Sequence, residues 1–216
     1  MINNERLTAY INSLEMPEWA VCEEIKKEAL ADSVPIIRNE TASLLKFFVT
    51  LTKPKRILEV GTAVGYSAIL MSRYMPEGSS ITTIEKYEPR IPVAKENFKR
   101  AGVENVISLL EGDALEILKT LSGTYDFIFM DAAKGQYINF FPEVMRLLSD
   151  GGVLISDNIL QDGDIIESRY AVTRRNRTIH SRMREYLYTL KHTDNLQTSI
   201  IPIGDGVAVS TKKGLT

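Results

Sequence analysis

Two apolar runs in this chain end in residues able to do chemistry. Phe127-Ile-Phe-Met130 leads into Asp131-Ala-Ala-Lys134, and Gly152-Val-Leu-Ile-Ser156 leads into Asp157-Asn158. Short apolar runs of this kind predict buried parallel strands. Open α/β sheets place their ligand crevice at the carboxyl ends of such strands. Two aspartates and an asparagine at neighbouring strand ends bring three oxygen donors to one edge, which is hard-cation chemistry with a lysine beside it.

A second set follows the same logic. Glu59-Val-Gly61-Thr62-Ala63-Val64-Gly65 leaves a predicted strand and opens a helix. Glycine lets the backbone come close to a ligand there, and a helix N-terminus offers free amide groups. The dinucleotide fingerprint asks for glycine at the middle position, where this chain has Ala63, so a nicotinamide dinucleotide is the weakest reading. An acid before the first glycine points to a partner carrying positive charge, such as an amino group. Glu85 closes the next strand, where a carboxylate takes both hydroxyls of a ribose. Gly112-Asp113-Ala114 follows the third strand, where an adenine edge would be read.

The elements that must position these residues alternate along the chain. Helices are expected at Glu5–Leu14, Trp19–Ala31 and from Asn39, acting as cap, to about Leu51. Strands follow at Ile57–Val60, Ile81–Glu85, Val106–Leu110, Phe127–Met130 and Val153–Ser156. Helices at about Gly65–Tyr74, Pro89–Ala101, Ala114–Leu121 and Ile138–Leu148 alternate with them. Thr198–Ile203 and Val207–Thr211 flank Gly204-Asp-Gly206, a hairpin signal. The fold class is α/β: a doubly wound, seven-stranded, Rossmann-like sheet with an antiparallel C-terminal hairpin and N-terminal helices. One domain over 1–216 is expected, with N-terminal helices in 1–52 and an arginine-rich insert in 161–194. That insert holds Arg169, Arg174, Arg175, Arg177, Arg182 and Arg184 with few acids.

Composition removes several classes. The chain has 216 residues, a net charge of −2 and one cysteine, so it can bury a core but form no internal disulfide. Cys22 is expected as a buried small hydrophobe. No apolar stretch approaches the ~20 residues of a membrane span. The polar opening Met1-Ile-Asn-Asn-Glu-Arg shows no signal or transit peptide, so a cytoplasmic location is expected. His180 and His192 stand apart, without metal-ligand spacing, and are expected as structural or surface residues.

Glu59-x-Gly-x-x-x-Gly65-Tyr-Ser67, Ile84-Glu85, Gly112-Asp-Ala, Asp131-Ala-Ala-Lys134 and Asp157-Asn158, in this order, resemble the class I S-adenosylmethionine-dependent methyltransferases. The resemblance is to their metal-dependent O-methyltransferase branch, which includes catechol and caffeoyl-CoA O-methyltransferases. It implies S-adenosyl-L-methionine held by Ile36, Ile37, Glu59, Gly61, Thr62, Tyr66, Ser67, Glu85, Lys86, Gly112, Asp113, Ala114 and Asp131. It also implies Mg²⁺ or Mn²⁺ on Asp131, Asp157 and Asn158, Lys134 as general base, and a homodimer. Val34-Pro-Ile, Gly65-Tyr-Ser-Ala-Ile, Asp131-Ala-Ala-Lys-Gly-Gln-Tyr137, Asn139-Phe-Phe141, the arginine insert and Ile200-Ile-Pro-Ile-Gly-Asp-Gly206 are similar to the bacterial tRNA 5-hydroxyuridine methyltransferases.

The chemistry agrees with the residues. A cation chelated by two vicinal oxygens lowers the pKa of the attacking hydroxyl and orients it. A lysine beside a dication is expected to lose its proton more readily. Catechol offers such a pair of oxygens, and so does 5-hydroxyuridine, so the metal site serves either acceptor. Substrate choice is expected from the arginines. They form a solvated face or dimer rim, or Arg174, Arg175 and Arg177 hold phosphates around a tRNA anticodon loop. Tyr137 and Phe141 are candidate stacking faces for a base, with core packing as the competing role for Phe140 or Phe141. The leading expectation is a metal-dependent O-methyltransferase that converts the wobble 5-hydroxyuridine of tRNA to 5-methoxyuridine; a catechol-like small-molecule enzyme is the alternative. A catalytically silent RNA-binding module is disfavoured by the intact Asp131, Lys134, Asp157 and Asn158.

Overall fold

Seven strands and eight α-helices alternate through residues 5–214, the part of the chain that the structure, a computed structural model, describes; the polar opening at 1–4 lies outside them. The strands are β1 (Arg56–Val60), β2 (Ser80–Glu85), β3 (Ile107–Glu111), β4 (Tyr125–Met130), β5 (Leu148–Ser156), β6 (Leu196–Ile201) and β7 (Val207–Lys212). They form one sheet in the order β3-β2-β1-β4-β5-β7-β6. The first five run parallel, whereas β7 lies antiparallel between β5 and β6. The order reverses between β1 and β4, so the ends of those strands flank the crevice.

Side chains alternate across the strands, and each face of the sheet is covered. Ile57, Phe127, Phe129 and Ile155 pack under α2 (Ala20–Ala31), α3 (Asn39–Thr52), α4 (Tyr66–Tyr74) and α5 (Ile91–Arg100). Leu58, Val60, Ile128, Met130 and Leu154 pack under α6 (Ala114–Thr120), α7 (Tyr137–Leu147) and α8 (Arg177–His192). Burial on both faces is why the central strands read as continuous apolar runs. Cys22 is buried in the first core as expected, and burial pushes its thiol up to about 11. Helix α1 (Glu5–Ser13) buries none of its residues.

Several boundaries differ from expectation. Asn39 is the first helical residue of α3 and not its cap; Arg38 holds the extended capping backbone, and its side chain makes no capping bond. The expected Pro89–Ala101 helix splits into a 3-10 turn at Glu88–Arg90 and α5, with Pro92 in the first turn of the latter, where no N–H is needed. Strand β5 starts five residues early, because Leu148 pairs with Tyr125 before a register shift. Within the insert, a 3-10 segment at Gln161–Ile166 precedes α8.

Candidate active site

The loop from β1 to α4 forms the floor of the site. Gly61 and Thr62 donate their N–H groups to the Ile84 carbonyl at 3.1 and 3.2 Å, binding the loop to β2. Gly61 has φ +107°, and a Cβ there would lie 2.2 Å from the Asp131 carbonyl oxygen. Only glycine allows β1 and β4 to approach so closely at this point. Ala63 takes φ +48° without being glycine, and its N–H donates to Glu85 Oε2 at 2.7 Å. That bond occupies the position where the dinucleotide fingerprint has its middle glycine.

Glu85 is fixed by backbone. Besides Ala63, the N–H groups of Lys86 and Tyr87 donate to its Oε1 at 2.9 and 2.7 Å. Its Oε2 keeps acceptor capacity toward the cavity. Lys86 Nζ meets Asp113 Oδ2 at 2.8 Å across the mouth, and Asp113 also caps α6 by accepting the Leu115 N–H. The Lys86 ammonium holds the Asp113 carboxyl below its usual range.

Between these groups lies a cavity of about 800 Å³, large enough to bury a nucleoside-sized ligand. Ile36, Ile37, Gly61, Thr62, Tyr66, Ser67, Glu85, Lys86, Gly112, Asp113, Ala114, Asp131, Lys134 and Asn158 all line it. Two expected residues do not reach the wall. Glu59 is fully buried beneath it, accepting Ser67 Oγ–H and Thr83 Oγ–H at 2.5 Å each. Burial pushes its carboxyl up to about 8, against the pull of the two hydroxyls. The charge of Glu59 therefore does not meet a ligand directly; Ser67 stands between them. Asp157 is likewise buried behind Asn158.

Asp131, Asp157 and Asn158 meet where β4 and β5 end. Asn158 Nδ2 donates to Asp131 Oδ1 at 2.9 Å, so the two side chains lie within reach of one ion. Asn158 adopts φ +59°, a left-handed turn that asparagine tolerates and that swings its amide toward β4. Asp157 Oδ1 accepts the Asn158 N–H at 2.8 Å and Thr41 Oγ1–H at 3.2 Å. Burial, then the neighbouring Asp131 charge, raises the Asp157 carboxyl to about 7; burial also raises Asp131. A buried carboxylate at Asp157, a half-buried one at Asp131 that repels it, and an amide oxygen fit a hard divalent cation, whose charge would relieve both penalties.

Sequence reasoning missed three supports here. Tyr137, a candidate stacking face, is fully buried and donates its hydroxyl to the carbonyls of Met130 and Asp157 at 3.1 and 3.2 Å. It braces the two strand ends and offers no face to a ligand. Phe141 packs edge-on against Tyr186, whereas Phe140 lines the cavity. Thr41 carries no sequence signal, because its bond to Asp157 spans 116 positions. The third is Asp205, whose Oδ2 takes Lys134 Nζ at 2.7 Å; its place between two glycines was the one sign of it in the sequence.

The arginine insert divides into two groups. Arg177, Arg182 and Arg184 donate to the carbonyls of Val172, Gly135 and Ile165, so they brace their own segment and the Lys134 turn. Arg169, Arg174 and Arg175 are exposed, as is Tyr170. His180 is buried with Nε2 against the Glu167 carbonyl, and His192 stacks on Tyr188 at the surface.

The sequence profile of the O-methyltransferase family matches residues 13–213. The chain belongs to the O-methyltransferase family. Among its relatives, a catechol O-methyltransferase of Niastella koreensis is 34% identical over 145 residues, 65% of either chain. A caffeoyl-CoA O-methyltransferase of Stellaria longipes is 28% identical over 220 residues, covering 96% of this chain and 90% of its own. The solved structure of an SAH-bound methyltransferase from Podospora anserina superposes with a TM-score of 0.88 at 26% identity, covering 97% of this chain and 95% of that one. In this O-methyltransferase Gly61, Gly112 and the Asp131–Lys134 segment face one cavity, and no helix among the described residues is long and apolar enough to cross a membrane.

Proposed function

We propose that this O-methyltransferase transfers the methyl group of S-adenosyl-L-methionine to one oxygen of an acceptor with two vicinal oxygens, using Mg²⁺ or Mn²⁺ at Asp131, Asp157 and Asn158. The observation that carries this is the junction at Asp131. Its carbonyl abuts Gly61 on the cofactor floor, and its carboxylate bonds Asn158 in the oxygen-donor corner. When bound, S-adenosylmethionine supplies an electrophilic methyl on sulfur, and the cation supplies Lewis acidity that favours the ionised form of a chelating hydroxyl.

The chain's own residues do the rest. Glu85 Oε2 accepts a ribose hydroxyl, Ile36, Ile37 and Ala114 exclude water, and Ser67 faces the methionine end. Alignment of the acceptor oxygen behind the methyl carbon is the main demand of this chemistry. Lys134 Nζ, after releasing a proton to solvent through its 34% exposed side chain, receives the hydroxyl proton and becomes an ammonium again.

A small aromatic acceptor of the catechol type is the first reading, supported by relatives named for catechol and caffeoyl-CoA. A second reading, the wobble 5-hydroxyuridine of tRNA, is supported by exposed Arg169, Arg174, Arg175 and Tyr170 in the segment that follows Asn158. Pairing of two chains is a further part of this proposal. The test is transfer from labelled S-adenosylmethionine with Mg²⁺ to a simple catechol and, in parallel, to tRNA carrying unmethylated 5-hydroxyuridine. Transfer that a chelator abolishes, and added Mg²⁺ restores, is expected; transfer that survives thorough chelation overturns the metal mechanism. Saturation of the catechol reaction at far lower concentration than tRNA would decide for the small acceptor, and the reverse for RNA.

A further inference from the structure

Asp205 has no part in the proposed reaction, yet its side chain is only 2% exposed and meets Lys134, a residue of the cavity wall. It occupies the turn Gly204-Asp205-Gly206 between β6 and β7. The turn is bonded to the chain just beyond Asn158: the Leu160 N–H donates to the Asp205 carbonyl at 2.8 Å and the Ile159 N–H to that of Gly206 at 3.1 Å. Gly206 has φ +81°, and a Cβ there would fall 2.1 Å from Leu160 Cγ, so no other residue lets the turn seat this closely. On its other side, a Cβ at Gly204 would lie 3.6 Å from Thr41 Oγ1, the hydroxyl that donates to Asp157. Backbone hydrogen bonds thus fix the turn to the segment just beyond β5, with side chains from the start of α3 beside it. From that fixed base the Asp205 carboxylate reaches to the end of β4 and takes Lys134 Nζ at 2.7 Å.

A lysine has four rotatable bonds and little geometric preference of its own. Lys134 leaves a short 3-10 turn at the cavity rim, where nothing in its own segment would fix its amine. We propose that Asp205 is the positioning residue for Lys134. It holds the amine at one point on the acceptor wall and receives the positive charge there once the proton has transferred. This follows the general arrangement in which a base is oriented by a third group behind it. The proton moves from acceptor oxygen to Nζ, and Asp205 gains no proton; it supplies the opposite charge. The inference rests on Lys134 being the proton acceptor in the proposed methyl transfer.

The test is a double-mutant cycle on the full chain with S-adenosylmethionine, Mg²⁺ and whichever acceptor supports transfer. Asp205→Asn keeps size and removes charge, so kcat is expected to fall about 100-fold, the scale set by misplacing a reacting group by 1 Å. The calorimetric affinity for S-adenosylmethionine is expected to stay within about twofold, because Asp205 does not line the cofactor cavity. Lys134→Met is expected to lower kcat at least as far, and the double variant no further than Lys134→Met alone. Multiplied effects in the double variant would make Asp205 a merely structural residue and overturn the proposal. A second readout needs no acceptor. Reductive methylation by formaldehyde and cyanoborohydride, followed by mass spectrometry, is expected to label Lys134 severalfold faster in Asp205→Asn than in the parent. Unchanged labelling would show that the ion pair does not restrain the amine, and the proposal falls. Accelerated labelling in a protein that methylates neither acceptor would uphold the pair and count against the reaction. Should Asp205→Asn fail to fold, Asp205→Glu, which retains charge but moves it by one methylene, takes its place in both measurements with the same expected directions.

Discussion

Glu59 is the residue whose surroundings depart furthest from what its charge suggests. A carboxyl with no accessible surface, held by two hydroxyls and facing the charges of Asp131 and Glu85, keeps its proton up to about pH 8, against 4.5 for the free side chain. Between those values the folded cofactor-free protein binds more protons at this site than the unfolded chain. Its contribution to stability is therefore complete below about 4.5 and declines as pH rises through 8, at up to about 1.4 kcal/mol per unit. Urea titrations of the cofactor-free protein at pH 5.5 and 7.5 are expected to show this slope together with that of Asp157, and Glu59→Gln, which keeps a neutral group of the same shape, to reduce it. An equal slope in both proteins would mean that Glu59 is ionised when buried. Gly61 tests the floor more bluntly. Gly61→Ala must accommodate a left-handed φ and a Cβ 2.2 Å from the Asp131 carbonyl, and a strained position of this kind costs about 1–3 kcal/mol before the clash. The expected result is a lowered denaturation midpoint together with loss of S-adenosylmethionine binding by calorimetry; binding within twofold of the parent would show that the floor tolerates displacement.

Among the elements, legibility followed the range of the forces involved. The parallel strands were readable because burial on both faces leaves uninterrupted apolar runs, as in Phe127–Met130, and the C-terminal hairpin because its turn needs glycines at positive φ. The oxygen donors of Asp131, Asp157 and Asn158 were readable because they end strands that the sheet order makes neighbours. What stayed hidden depends on contacts between distant segments: the early start of β5 opposite Tyr125, the Thr41–Asp157 bond, and the Asp205–Lys134 pair. Tyr137 illustrates the limit, since its aromatic ring and its place near Lys134 fit a stacking role until its full burial is known. Its hydroxyl ties the last carbonyl of β4 to the carbonyl of Asp157, beyond the end of β5. Tyr137→Phe keeps the ring and removes both bonds, so a loss of about 1–3 kcal/mol is expected by chemical denaturation. Weaker Mn²⁺ binding by calorimetry should accompany it, because Asp131 follows one braced carbonyl and Asp157 carries the other. Unaltered Mn²⁺ affinity alongside the stability loss would confine Tyr137 to packing.

For the molecule as a whole, two outer surfaces test the proposed partners. Helix α1 buries nothing and exposes Tyr10 at 61% and, just beyond its end, Leu14 at 63%. Apolar side chains grouped in this way favour burial against a second chain, so Tyr10→Glu with Leu14→Glu is expected to convert a dimer to a monomer by light scattering. A parent protein already monomeric at micromolar concentration would remove the pairing proposal. The other surface is the exposed part of the insert. A net charge of −2 gives the chain no general attraction to RNA, so any attraction must come from local clustering. Arg174 and Arg175 are the pair to test, because Arg177, Arg182 and Arg184 are engaged with carbonyls and their loss would disturb the Lys134 turn as well. Arg174→Glu with Arg175→Glu should leave KM for catechol within about twofold, since neither residue lines the cavity. If the acceptor is tRNA, the same change should weaken tRNA binding and lower the slope of log affinity against log salt by about 1 for each phosphate no longer neutralised. The comparison of slopes decides the matter better than affinity alone, because a folding defect lowers the amount of active protein without altering the number of counterions released. An unchanged slope would return both arginines to a solvated face and leave the small aromatic acceptor as the reading of the site.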